Sequence, residues 1–215
     1  MQYILFDLDG VLIDSEHVIK TAFTLSYHKV VGDGVPPVEE YLTHMGDSFE
    51  NIMVKMNLPL VMKEHFQYYS RHLVGFIRPH RGIMALLRLL RANQYQMAVV
   101  TGKDRSRTVE ILQKLKMDDY FLSVVAADDV ERPKPEPDAL IAAMRHIQAV
   151  PEQTIMVGDA PNDLIAAKRA GVRSCAVSWG VTPARQLIGF EPDFLVKSPH
   201  EIASLFSKVK IELNA

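Results

Sequence analysis

A single cysteine, Cys175, leaves this chain no intramolecular disulfide. With no CxxC pair and no HExxH pattern, a zinc site of the usual spacing is not indicated either. Both absences suit a reducing compartment, and the cytoplasm is the expectation. No run of five or six like charges occurs, and 24 Lys+Arg against 26 Asp+Glu leave a net charge of −2. That balance carries neither a nucleic-acid footprint nor an anionic-membrane surface. No apolar run approaches the roughly 18 residues that span a bilayer. The first seven residues lack a positive stretch and reach a carboxylate at Asp7, so they read as a strand rather than a signal peptide. What is present is ordinary globular material, 48% hydrophobic and 23% charged. Its 215 residues suffice for one α/β domain with an insertion and fall short of two full-sized domains.

Short apolar runs with few charges recur at 3–8, 96–101, 123–127, 154–158 and 173–178. Such runs are the pattern of strands buried on both faces of a parallel sheet. Between most of them lie amphipathic stretches of helical length, at 83–92, 105–115, 137–147 and 162–170, with Gly171 as a stop after the last. Alternation of this kind predicts an α/β fold with a doubly wound parallel sheet, a Rossmann-like core. One interval breaks the rhythm. About 65 residues, from Ser15 to Pro79, separate the first strand from the next core elements, and their apolar spacing is helical. Breaks at Gly32-Asp33-Gly34, Pro36-Pro37 and Leu58-Pro59 divide them into about four helices. The expected division is therefore a core of 1–14 and 79–215 with an inserted α-helical subdomain at 15–78.

Four sites carry chemistry. Asp7-Leu8-Asp9-Gly10 ends the first strand, and in an open α/β sheet ligands bind outside the carboxyl ends of strands. Two carboxylates two positions apart can point the same way, which is costly unless a cation or a shared proton relieves the repulsion. A second acidic cluster, Gly158-Asp159-Ala160-Pro161-Asn162-Asp163, follows the strand at 154–158, although Asp163 could equally serve as a helix-start residue. Oxygen ligands without nearby His or Cys favour Mg2+. Thr101-Gly102 offers a hydroxyl and bare backbone N–H groups suited to a phosphate, and prolines on both sides of Lys134 fix a lone ammonium. Together these supply a nucleophilic carboxylate, a proton-transfer carboxylate, phosphate donors and a metal cradle, the inventory of phosphoryl transfer. Neither GxxxxGKS/T nor GxGxxG occurs at a strand-to-helix turn, which disfavours a nucleotide-cradling loop.

In these four motifs the chain resembles the haloacid dehalogenase-like hydrolase superfamily, specifically its phosphatases with a small helical cap, of the phosphoglycolate phosphatase-like and β-phosphoglucomutase-like group. The stretch from Gly46 to Met53 is also similar to that of phosphatases associated with aminohydroxybenzoate biosynthesis. The resemblance implies that Asp7 attacks phosphorus, while Asp9 protonates the leaving oxygen and then deprotonates water. It implies that Lys134, Thr101 and Gly102 hold the transferring phosphoryl group. Mg2+ is then expected on the Asp7 side chain, the Asp9 backbone carbonyl and Asp159, with Asp163 in support. A carboxylic acid at Asp9 favours an oxygen leaving group over a halide, which needs no proton.

The expected substrate is a small-molecule phosphate ester, with neither nucleic acid nor membrane as partner. An insert directly after the nucleophile strand is placed to contact the leaving group, so Glu16, His17, Gly46, Asp47 and Ser48 are the specificity candidates, with Arg78, His80 and Arg81 at the return to the core. The cap methionines 45, 53, 56 and 62 read as core filler. Two alternatives stay open. A sugar phosphomutase would pass the same intermediate to a hydroxyl, and a non-enzymatic aspartyl-phosphate switch would hold it, although a switch needs no helical insert.

Overall fold

The computed structural model describes residues 1–212, with side-chain surroundings through Phe206. The chain opens with β1 (Tyr3–Phe6) and a short β2 (Ile13–Asp14). It then runs through four helices, α1 (Glu16–Val30), α2 (Val38–Thr43), α3 (Phe49–Lys55) and α4 (Met62–His72). A two-residue β3 (Arg78–Pro79) returns antiparallel to β2. From there helix and strand alternate: α5 (Ile83–Ala92), β4 (Gln96–Val100), α6 (Arg105–Lys114), β5 (Ser123–Val125), α7 (Asp138–His146), β6 (Thr154–Gly158), α8 (Pro161–Ala170) and β7 (Arg173–Val177). A short α9 (Ala184–Leu187), β8 (Phe194–Val196) and α10 (Pro199–Glu212) follow.

Six strands form one parallel sheet in the order β5-β4-β1-β6-β7-β8. The sequence pattern supplied five of them. Strand β8 is only three residues long, too short for alternation or an apolar run to register. Strand β1 sits where the chain, having built outward through β4 and β5, returns to the other side through β6, which makes its carboxyl end the crevice of the sheet. Phe6 is in register with Val99 on one side and Val157 on the other, so Asp7, Thr101 and Asp159 leave the sheet at one level.

Alternation along β1 divides the core into two layers. Ile4 and Phe6 pack with Leu86, Leu87 and Leu90 of α5, Ile111 of α6 and Ile202 and Phe206 of α10. Leu5 faces the opposite layer, with Leu140 and Ala143 of α7 and Ala166 and Ala167 of α8. Gly171 ends α8 in the left-handed conformation at φ 70°, a backbone state that glycine adopts without a Cβ penalty. The four helices between β2 and β3 bury a separate apolar cluster, with Phe23, Tyr41, Phe49, Met53, Met62 and Phe66 at its centre. Met53 and Met62 are fully buried there, and Met45 and Met56 pack against its edge. Among the described residues, no helix is long and apolar enough to cross a membrane.

Candidate active site

Three buried carboxylates, Asp7, Asp159 and Asp163, offer oxygen atoms within 4.8 Å of one another. Lys134, 1% exposed, enters this group from the loop before α7. Its Nζ lies 2.7 Å from Asp7 Oδ1, 2.6 Å from Asp163 Oδ1 and 3.0 Å from the Val100 carbonyl oxygen, so all three ammonium protons have acceptors. Asp163 takes the helix-start position that the sequence offered, its Oδ2 accepting the Ala160 N–H at the start of α8, and its Oδ1 also holds Lys134. Asp159 accepts the Val181 N–H at 2.8 Å.

Three carboxylates against one ammonium leave negative charge uncompensated in a buried site. Burial pushes Asp7 up to about 7 against the pull of Lys134, and it pushes Asp159 well above the ordinary carboxylate range, with Asp7 and Asp163 adding to the effect. Burial opposes the charge of Lys134, yet Asp163 and Asp7 together hold its pKa above the ordinary lysine value. An all-oxygen, anionic and buried donor set of this kind fits a hard divalent cation such as Mg2+. The backbone closes tightly around it: a Cβ on Gly10 or on Gly180 would stand 2.2 Å from Asp159 Oδ2, an impossible contact. Gly10 also has φ 77°, turning the chain away from β1.

Asp9 stands apart. The alternation argument directed Asp7 and Asp9 to one cation, but β1 ends at Phe6 and the turn through Gly10 sends the Asp9 side chain elsewhere. Its Oδ1 accepts the Ser15 hydroxyl at 2.5 Å, and its Oδ2 pairs with Lys103 Nζ at 2.9 Å, with all three residues buried. Burial lowers the pKa of Lys103, against the opposing pull of Asp9. Beside them Thr101 is 2% exposed, and its N–H is committed to the Val125 carbonyl while its Oγ1 accepts the Lys103 N–H. The Gly102 N–H makes no hydrogen bond among the described residues and lines the same space.

Residues 4–177 match the family of haloacid dehalogenase-like hydrolases. The chain belongs to that family. It is 30% identical over 208 residues to the pyrophosphatase PpaX of Bacillus thuringiensis, covering 95% of each chain. A haloacid dehalogenase-like hydrolase from Streptococcus pneumoniae superposes with a TM-score of 0.83 at 25% identity, over 96% of this chain and 98% of that one. A predicted phosphoglycolate phosphatase from Haemophilus somnus reaches 0.86 at 21% identity, over 96% and 98%, a likeness of fold.

In this haloacid dehalogenase-like hydrolase the insert lies directly on the acidic end of the sheet. A Cβ on Gly102 would stand 2.6 Å from the Asp47 carbonyl oxygen, and one on Gly46 2.9 Å from Ala160 Cβ. The segment around Gly46 and Asp47 is thus seated between the loops after β4 and β6. The Asp47 carboxylate is committed to Lys55 Nζ, Asn51 and the Ser48 N–H, and Ser48 caps α3. Glu16 pairs with Lys20 at 2.7 Å and His17 is exposed, and the structure brings neither to the cavity that Asp7 and Asp9 line. Arg78 donates to the Gly75 and Ile77 carbonyls, and it, His80 and Arg81 also lie off that cavity.

The cavity above Asp7 and Asp9 measures about 40 Å3, and Tyr41, Lys103 and Arg107 line it with them. Residue-by-residue reading of the sequence singled out neither Tyr41 nor Arg107. It also gave no role to Ser15, Lys103 or the Gly180-Val181 loop. One signal was available for Arg107: it stands three places after Asp104, the residue that caps α6, and an acid–base pair at that spacing shares a helix face.

Proposed function

We propose that this hydrolase is a Mg2+-dependent phosphatase that cleaves small-molecule phosphate monoesters through an aspartyl-phosphate on Asp7. The observation carrying this reading is the separation of two buried carboxylates, Asp7 held by Lys134 among acidic neighbours and Asp9 held by Ser15 and Lys103. The first is suited to attack, the second to proton transfer. An Asp7 oxygen bonds to phosphorus as the bond to the leaving oxygen breaks, and Asp9 delivers its proton to that oxygen. Water then attacks the same phosphorus and gives a proton back to Asp9, and the bond to Asp7 breaks, releasing inorganic phosphate. Lys134 and the Gly102 N–H meet the charge of the transferring oxygens. Mg2+, held by Asp7, Asp159 and Asp163 with the Asp9 carbonyl, supplies further neutralisation of that charge.

The same reading makes residues 15–78 a cap over a core of 1–14 and 79–215, placing Gly46 and Asp47 near the leaving group and the protein in the cytoplasm. The name of the Bacillus thuringiensis relative puts pyrophosphate beside monoesters among the substrates to assay. The test is mass spectrometry of enzyme quenched during turnover with Mg2+. Phosphorylation is expected on the peptide containing Asp7, together with stoichiometric free phosphate and loss of turnover on chelation. An adduct elsewhere, or none, overturns the reading. An isomerised sugar phosphate without free phosphate would replace water by a sugar hydroxyl as acceptor.

A further inference from the structure

Tyr41, on α2, is 3% exposed, its ring stacked on Phe23 at 4.3 Å and flanked by Phe49 and Phe66. Its hydroxyl has no hydrogen-bond partner among the described residues. A buried phenol normally finds one. The hydroxyl is not sealed, because the one fully enclosed side-chain polar atom without a partner among the described residues is His80 Nε2. Tyr41 instead opens onto the cavity it shares with Asp7 and Asp9.

Across that cavity stands Arg107 of α6, 6% exposed and pinned on three sides. Its Nε donates to Asp104 at 2.6 Å, its Nη1 to the Ser70 hydroxyl at 2.7 Å, and its guanidinium lies 5.0 Å from the centre of the Phe66 ring. Nη2 alone is left uncommitted among the described residues, on a fork too constrained to swing away. Of the carboxylates around the cavity, Asp104 is paired with Arg107, Asp47 with Lys55 and Asp9 with Lys103, while Asp7 belongs to the acidic cluster below. Of the polar groups still open, Arg107 Nη2 and the Gly102 N–H can only donate, and the Tyr41 hydroxyl beside them can donate as well as accept. A ligand completing them must bring acceptors.

Size narrows the class. About 40 Å3 is roughly three times what one water requires. A larger cavity of about 290 Å3 lies beyond, and Phe49, Phe66, Gly102 and Arg107 line both spaces, forming the partition between them.

We infer that Tyr41 and Arg107 form a leaving-group subsite that selects short esters ending in an anionic, acceptor-rich terminus, a carboxylate or a second phosphoryl group. This rests on the phosphatase reading above. The two residues reach the subsite from the insert and from the core, so it is complete only when the insert is seated.

The test compares kcat/KM of the intact enzyme with Mg2+ on 2-phosphoglycolate, pyrophosphate and ethyl phosphate, the last carrying a methyl group where the first has its carboxylate. The wild type is expected to favour at least one anionic substrate over ethyl phosphate by about tenfold or more, the scale of one hydrogen bond to a charged group. Whether 2-phosphoglycolate or pyrophosphate leads decides between carboxylate and phosphoryl. Tyr41→Phe and Arg107→Gln should each reduce that preference several-fold, chiefly through KM, with Arg107→Lys recovering part of it. Thermal melts of each variant separate selectivity from misfolding. Equal kcat/KM for ethyl phosphate and both anionic substrates overturns the inference, as does a uniform loss in correctly folded Tyr41→Phe. Neither result touches the Asp7 adduct, which tests the phosphatase reading by itself.

Discussion

The acidic cluster beneath the sheet end and the cavity face above it are built on opposite plans. Below, Asp7 and Asp159 follow strand ends fixed by sheet register, Asp163 stands in the first turn of α8, and Lys134 enters from the loop before α7 with an acceptor for every proton. Above, Tyr41, Gly102 and Arg107 retain uncommitted donors and come from two bodies that meet only where the insert rests on the core. The lower set is short of positive charge, and the upper set holds N–H donors without acceptors. On the reading proposed above a metal would complete the first and a substrate the second, so that one site would be rigid for its chemistry and conditional for its choice of ligand.

The comparison is broken most completely from below. Asp7→Asn is expected to reduce phosphate release to background without lowering the melting temperature, since it removes a carboxylate from an overcrowded acidic cluster. Residual turnover in purified variant protein would sink the nucleophile assignment. Asp9→Asn should slow both half-reactions by about 10²–10⁴-fold, the scale of lost acid–base assistance, read by burst and steady-state kinetics.

From above, Gly102→Ala sharpens the contrast. The added Cβ meets the Asp47 carbonyl at 2.6 Å, so the insert must ride higher while the acidic cluster keeps its geometry. A fall of about 10²-fold in kcat/KM with little change in Mg2+ affinity is expected, because misplacement near 1 Å costs on that order. Equal losses in both quantities would mean that the two regions are one.

The smallest effect lies at the linker. His80 Nε2 is enclosed without a partner, and burial holds the imidazole below its ordinary pKa against the charge of Asp14. The unfolded chain therefore binds that proton more readily. The stability from keeping His80 neutral is full above its unfolded pKa of about 6.5 and is lost as pH falls through that value toward the lower folded one. His80→Leu should flatten the pH dependence of melting slightly between neutral and mildly acidic conditions. An unchanged slope would show that the ring relaxes to find a partner.

Much of the core site was legible because strand exits announce themselves: an apolar run, then Asp, Thr-Gly or Gly-Asp, each fixes a residue type at one end of a buried strand. The insert was legible as helices from its breaks, and its methionines as packing. Asp9 was read correctly in position but not in company, because a turn through Gly10 ends the alternation on which a shared direction depends. Tyr41 carried no signal and Arg107 only its spacing from Asp104, because nothing local shows that their two helices come to face one cavity.

By itself the order of residues determined a doubly wound sheet, an interruption after its first strand, and acidic and Thr-Gly motifs at a common edge, since short connections between parallel strands leave every carboxyl end on one side. Only the tertiary structure decided that Lys134 reaches Asp7 across 127 positions, that Asp9 turns to Ser15 and Lys103, and that the insert seats against Gly102. Those outcomes depend on distances between elements remote in the chain, which local periodicity and spacing do not encode.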